Sequence, residues 1–235
     1  QTTQNSSWIQ WREIEVFSPS NETDGLIAYY PFNGNAKDES GNGHDGTVNG
    51  ATLTTDRFGS TNSAYEFSST GQNIDFFNSG TWAEGSHTIS FWFNSVFISG
   101  KDQFLLTKRS DCMGGDELPW FEVAIHRDDN IAHIGWAGNG YGSSFHFNFT
   151  PNQWNNVVYV IKGANASLYL NGDLVGSQVY VPTTNDIMLR AGNHSCPVSN
   201  DDYNGKFDDL GLWNRALNET EIQELYHENG YKTLT

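Results

Sequence analysis

Oxygen-bearing side chains crowd into one short stretch of the chain, where Asp38, Glu39, Ser40, Asn42, His44 and Asp45 alternate with glycine. A loop of this composition folds back sharply and offers many side-chain and backbone oxygens. Hard cations such as Ca2+ take about six to eight such ligands at flexible geometry. The same residues also suit a plain Gly/Asn turn with solvated acids, and composition alone leaves both readings open. A second concentration lies in two long polar loops that carry the cysteines, Arg109 to Glu117 with Cys112 and Asn193 to Tyr203 with Cys196. A Cys112–Cys196 disulfide would set the loops side by side, with Asp111, Asp116, Asp201 and Asp202 near the aromatic plates of Trp120 and Tyr203. Carboxylates beside aromatic rings bind sugar by stacking on its C–H face and accepting from its hydroxyls, either directly or through a second calcium. The alternative is two solvated loops stapled for stability, worth about 2–4 kcal/mol. The glycines around Trp136 and Tyr141 mark a further place where aromatics can stand exposed.

Catalytic patterns are absent. No Glu-x-Asp-x-x-Glu triplet lies on a strand to supply the nucleophile and acid of a glycosidase. Glu13-Ile14-Glu15 is the nearest approach and falls near the N-terminus, outside the strand-rich part. Nucleophile motifs, phosphate loops and zinc spacings are missing, and the 7 histidines are scattered. His126 and His133 fall on neighbouring predicted strands and can pair. The expectation is a domain that catalyses nothing.

The whole chain sets the context. Its 235 residues suit one generous all-β domain or one domain with a tail, and 24 glycines against 12 lysines and arginines favour tight turns over helices. A net charge of −16 makes nucleic acid and anionic membrane surfaces poor partners. No apolar run approaches the roughly 18 residues of a transmembrane helix, so membrane insertion is not expected. Two cysteines are two thiols in a cytosolic protein and one disulfide in a secreted one. Six Asn-x-Ser/Thr sequons, from Asn5 to Asn218, favour the extracellular or cell-surface setting.

Residues 1–24 read as a tail or linker, with an alternating strand at 8–17. That segment resembles the closing strand of a discoidin-type, galactose-binding-like domain, which would make this chain a piece of a larger modular protein. From Gly25 onward strand signals recur at short, regular spacing with turn residues between. His87 to Asn94 alternates cleanly, Ile89, Phe91 and Phe93 sharing one face. Further strands are expected at 103–108, 120–127, 131–136, 145–149 and 154–162. Asn171-Gly172 is a strong hairpin signal, with 175–181 as the returning strand. One helix is expected at 218–229, where Asn218 and Glu221 form a capping box and Gly230 stops it.

Several stretches together resemble the laminin G-like, pentraxin-like domains of the concanavalin A-like superfamily. They are Gly25 to Phe32, Asp38 to Gly43, Tyr65 to Phe67, Thr88 to Phe93, Leu168 to Gly172 and Gly205 to Leu217. The resemblance spans about residues 25–231 and implies an all-β jelly-roll sandwich over 25–235. It also implies a structural Ca2+ held by Asp38 and Asp208, with Asn42 and His44 adding backbone carbonyls. Strand phase places Asp208 on the face of Leu210 and Leu212, pointing inward, unless a bulge reverses it. Domains of this kind serve as sugar-binding, adhesion or receptor modules and as accessory domains of secreted enzymes. The expected partner is therefore a glycan or a cell-surface protein, and the alternatives are a structural spacer or an accessory carbohydrate-binding domain.

Overall fold

A computed structural model describes residues 24–77, 85–108, 120–126, 131–137, 143–180, 188–193 and 201–227. In chain order its strands are β1 (Leu26–Tyr30), β2 (Thr47–Asn49), β3 (Thr52–Thr54), β4 (Ala64–Phe67), β5 (Asn73–Asp75), β6 (His87–Ser95), β7 (Gln103–Lys108) and β8 (Trp120–Ile125). They continue as β9 (Ile131–Ala137), β10 (Ser143–Asn148), β11 (Trp154–Lys162), β12 (Asn165–Leu170), β13 (Asp173–Val179), β14 (Leu189–Ala191) and β15 (Gly205–Trp213), followed by the helix α1 (Glu219–His227). Two antiparallel sheets result. Sheet A runs β13-β12-β11-β6-β15-β4-β3, with β1 also on β15, and sheet B runs β10-β9-β8-β7-β14-β5-β2. This is the expected jelly-roll sandwich.

Alternation decides what each strand buries. Ile89, Phe91 and Phe93 of β6 meet Val123, Ile134 and Tyr159 in one inter-sheet core. Between them on β6, Thr88, Ser90 and Trp92 point to the outer face of sheet A. There Val158, Val160 and Trp213 form a second apolar patch, closed by Leu217, Ile222 and Leu225 from the helix and its approach. The helix is fixed at its start by the predicted box. The Asn218 N–H donates to Glu221 Oε2 at 2.7 Å, and the Glu221 N–H donates to Asn218 Oδ1 at 3.1 Å. Arg215 then clasps the same Glu221 with two bonds, 2.9 and 2.6 Å.

The Asn171-Gly172 turn joins β12 to β13 with both residues at positive φ, 52° and 83°, as a type I′ turn requires. The returning strand begins at Asp173, two residues earlier than the sequence suggested. Phase in β15 also departs from expectation. Phe207, Leu210 and Leu212 all face the core, which simple alternation forbids. The ladder with β6 shifts between Asp208 and Gly211, and Asp209 sits at φ 45°. One extra residue is absorbed there as a β-bulge. Asp208 therefore points away from Leu210 and Leu212, onto the outer face beside Trp92, its cross-strand partner.

Candidate functional site

The acidic loop after β1 is closed upon itself. The Asp38 carboxylate accepts backbone N–H groups from Tyr29 (3.0 Å), Ser40 (2.9 Å) and His44 (3.0 Å). Burial alone would raise its pKa, but the hydrogen bonds from Ser40, Tyr29 and His44 outweigh it and hold the group below the ordinary carboxylate range. The His44 carbonyl accepts the Tyr30 hydroxyl at 2.6 Å, and the His44 ring stacks on Phe77. The Asn42 amide donates to the carbonyls of Leu26 and Ile27. Tyr30 is itself raised, by burial first and then by the charges of Asp38 and Asp45.

Asp208 is answered elsewhere. The bulge aims Asp208 and Asp209 to one side, and Arg57, from the β3–β4 loop, meets both through one nitrogen at 3.0 and 2.5 Å. All three side chains are at least nine-tenths buried. The Tyr29 hydroxyl donates to Asp209 Oδ1 at 2.8 Å. The guanidinium lies against two rings, 4.3 Å from the centroid of Phe58 and 4.4 Å from that of Trp92. Two carboxylates share one cation, so burial, followed by the Asp209 charge, drives the Asp208 pKa upward. The two carboxylates expected to share a calcium, Asp38 and Asp208, each have other partners in this fold. Asp38 is already served by three N–H donors and Asp208 by a buried arginine, and the one expected carbonyl whose bonding is defined, that of His44, carries the Tyr30 hydroxyl. Among the described residues no three His, Cys, Asp or Glu side chains are grouped to hold a metal.

The cysteine-loop rim is described only in part. Asp111, Cys112, Asp116, Cys196 and Tyr141 lie outside the described residues, as do the side chains of Trp120 and Trp136. Asp202 is buried and accepts the Gly71 N–H at 3.1 Å, while the backbone carbonyl of Asp201 receives Phe104. Tyr203, expected as an exposed plate, is a core residue. It is 1% exposed, packs on Phe67, and directs its hydroxyl to the carbonyls of Lys206 and Asn94. It cannot stack on a ligand.

Sheet B presents what the sequence reading missed. Strand pairing lines up Thr47, Asp75, Arg190, Thr107, Glu122 and Gly135 across its outward face. Arg190 grips Asp75 with two bonds, 2.5 and 3.1 Å. Asn49 donates to Asn73 and to Asp75. His133 holds Glu122 at 2.9 Å, with His126 against its ring. His133 was legible on a predicted strand as a neighbour of His126, whereas Glu122 was not singled out. Nor was Arg190, because the three-residue β14 carries no pattern of its own.

This architecture, two antiparallel sheets with one capping helix among the described residues, is that of the lectin-like jelly rolls. The chain belongs to the concanavalin A-like lectin/glucanases superfamily, whose laminin G-like model matches residues 68–223. Among solved structures it is similar to domain 4 of AbnA, a GH43 extracellular arabinanase from Geobacillus stearothermophilus, in complex with arabinotriose. The TM-score is 0.69 at 15% identity, covering 86% of this chain and 98% of that domain. It is also similar to the binding domain of botulinum neurotoxin DC in complex with rat synaptotagmin II, with a TM-score of 0.67 at 16% identity, covering 87% of this chain and 51% of that one. The complex of that toxin domain with SialylT gives 0.66 at 15% identity and 87% and 52% coverage. This chain therefore spans about half of the toxin binding domains. No curated protein matches it in sequence. At such identities the likeness is one of fold.

Two outcomes follow from the buried charges. A carboxyl whose folded pKa is raised stabilises the fold fully below the ordinary carboxylate pKa, and that contribution is lost as pH rises toward the folded value. The melting temperature should therefore carry a component that declines from acid toward alkaline pH and is flattened in Asp208→Asn. Arg57→Ala should cost about 3–5 kcal/mol near neutrality, because it strands the buried Asp208–Asp209 pair without its cation; an alanine variant as stable as the parent would refute the clamp. In the acidic loop, Asp38→Ala should cost about 1–3 kcal/mol by stranding its three donors, and calorimetric scans in Ca2+ and in EDTA test the expected cation. A calcium-dependent rise in melting temperature that Asp38→Ala abolishes would support the cation, and coincident scans would refute it.

Proposed function

We propose that this domain is a non-catalytic carbohydrate-recognition module that meets its glycan on the outward face of sheet B. One contrast between the sheets carries the reading. Sheet A spends its outer face on the helix and on the Arg57 clamp. Sheet B, among the described residues, turns outward a row of hydrogen-bonding side chains whose charges are already paired. Arg190 held by Asp75 and His133 held by Glu122 are oriented before any ligand arrives, which lowers the ordering cost of binding. The fold's occurrence in a sugar-bound accessory domain and in a toxin domain complexed with SialylT supports the same class of ligand. The net charge of −16 favours neutral sugars over sulfated or uronic ones.

A glycan array should return neutral oligosaccharides. Asp75→Ala combined with Arg190→Ala removes both partners of one pair and should weaken that binding at least tenfold with little change in melting temperature. Unaltered affinity in a folded double variant would move the site off this face, and steady hydrolysis of any bound glycan would end the non-catalytic reading.

The module is further proposed to act outside the cell, in adhesion or beside a secreted enzyme, with Cys112 bonded to Cys196. Peptide mapping of unreduced protein should find that cross-link; two freely alkylated cysteines would argue for a reducing compartment.

A further inference from the structure

The outward face of sheet B also gathers imidazoles. His126 follows β8, His133 lies in β9 and His146 in β10, and the last two are direct cross-strand partners. Ring centroids are 4.5 Å apart for His126–His133, 6.2 Å for His133–His146 and 6.1 Å for His126–His146. Glu122 fixes the central ring, with 2.9 Å from its Oε1 to His133 Nε2. A carboxylate only accepts, so Nε2 carries the hydrogen and a neutral ring keeps its lone pair on Nδ1. That Nδ1 is buried and has no hydrogen-bond partner. Buried polar atoms are as a rule satisfied. A lone pair held ready without a donor is poor hydrogen bonding and good ligand preparation.

We propose that His133 Nδ1 and His146 form the seat of a divalent late transition cation, of the class of Zn2+, Ni2+ or Cu2+, with Glu122 as its orienting carboxylate. Imidazole suits these ions, whereas Ca2+ prefers oxygen. Histidines that ligate metal commonly give their second ring N–H to a carboxylate, the arrangement His133 already has. A cation about 2.1 Å from each nitrogen sets two ligand rings about 5–6 Å apart, so the 6.2 Å between His133 and His146 must close slightly on binding. No three such ligands are gathered on one point among the described residues, so the protein supplies two nitrogens and water completes the sphere. His146 is the exposed member, and an ion reaches the buried His133 Nδ1 when a neighbouring side chain turns aside. The surrounding net charge of −16 raises the local concentration of cations.

Isothermal titration of the intact chain with Zn2+, and separately with Ni2+, tests the seat without any glycan. Its outcome is therefore independent of the carbohydrate reading. One site should saturate at micromolar to millimolar metal with a stoichiometry of one ion per chain. His146→Ala and His133→Ala should each weaken it at least tenfold, Glu122→Gln by about 10–100-fold, and His227→Ala not at all. Melting in EDTA confirms that each variant is folded. Absence of saturation by either ion, or equal affinity in a folded His146→Ala variant, would overturn the assignment.

Discussion

The outer half of this sandwich depends on a single guanidinium. An extra residue in β15 throws two successive carboxylates to the same side, and nothing on the neighbouring strands could neutralise them. Arg57 does so from a loop, its planar group held between Phe58 and Trp92. Trp92 in turn stacks on Tyr226 of the helix at 5.7 Å with rings nearly parallel, 13°. Bulge, ion cluster, aromatic stack and helix are thus one continuous structure. Desolvating two acidic groups beside one cation is expensive, and burial, followed by the Asp209 charge, raises the Asp208 pKa accordingly.

Much of the fold was legible in the chain. The alternation of β6, the Asn171-Gly172 turn and the Asn218/Glu221 box are local signals, each set by backbone geometry that neighbouring residues enforce. The phase of β15 was not legible, because a bulge breaks the period of two on which any strand reading rests. Arg57 was equally hidden, since a loop residue reaches a strand more than a hundred positions away without leaving a periodic trace. Tyr203 misled for the opposite reason. Its neighbours Asp201 and Asp202 made the segment look like solvated loop, whereas the chain turns there to plug the core with an aromatic ring.

The two sheets divide the work. Sheet A takes the difficult electrostatics and the helix, and so fixes the shape of the domain. Sheet B is freed to carry polar side chains outward on a regular lattice of strand positions. Groups such as Arg190 and Asp75 are far apart in sequence but adjacent in register, which is why this outward polar row is a property of pairing and leaves no compact motif.

The β1–β15 ladder has a mechanical meaning as well. Leu26 pairs with Trp213 at its open end, and the chain leaves the ladder there in both directions. Tension between the two would peel the strands apart one rung at a time, the weakest way to load a sheet. Arg215 sits at that fork, bound to the Asp24 carbonyl at 2.6 Å and to Glu221 at the root of the helix. It acts as a rivet at the crack tip. A pull on the described ends loads this charged clasp together with the first rung.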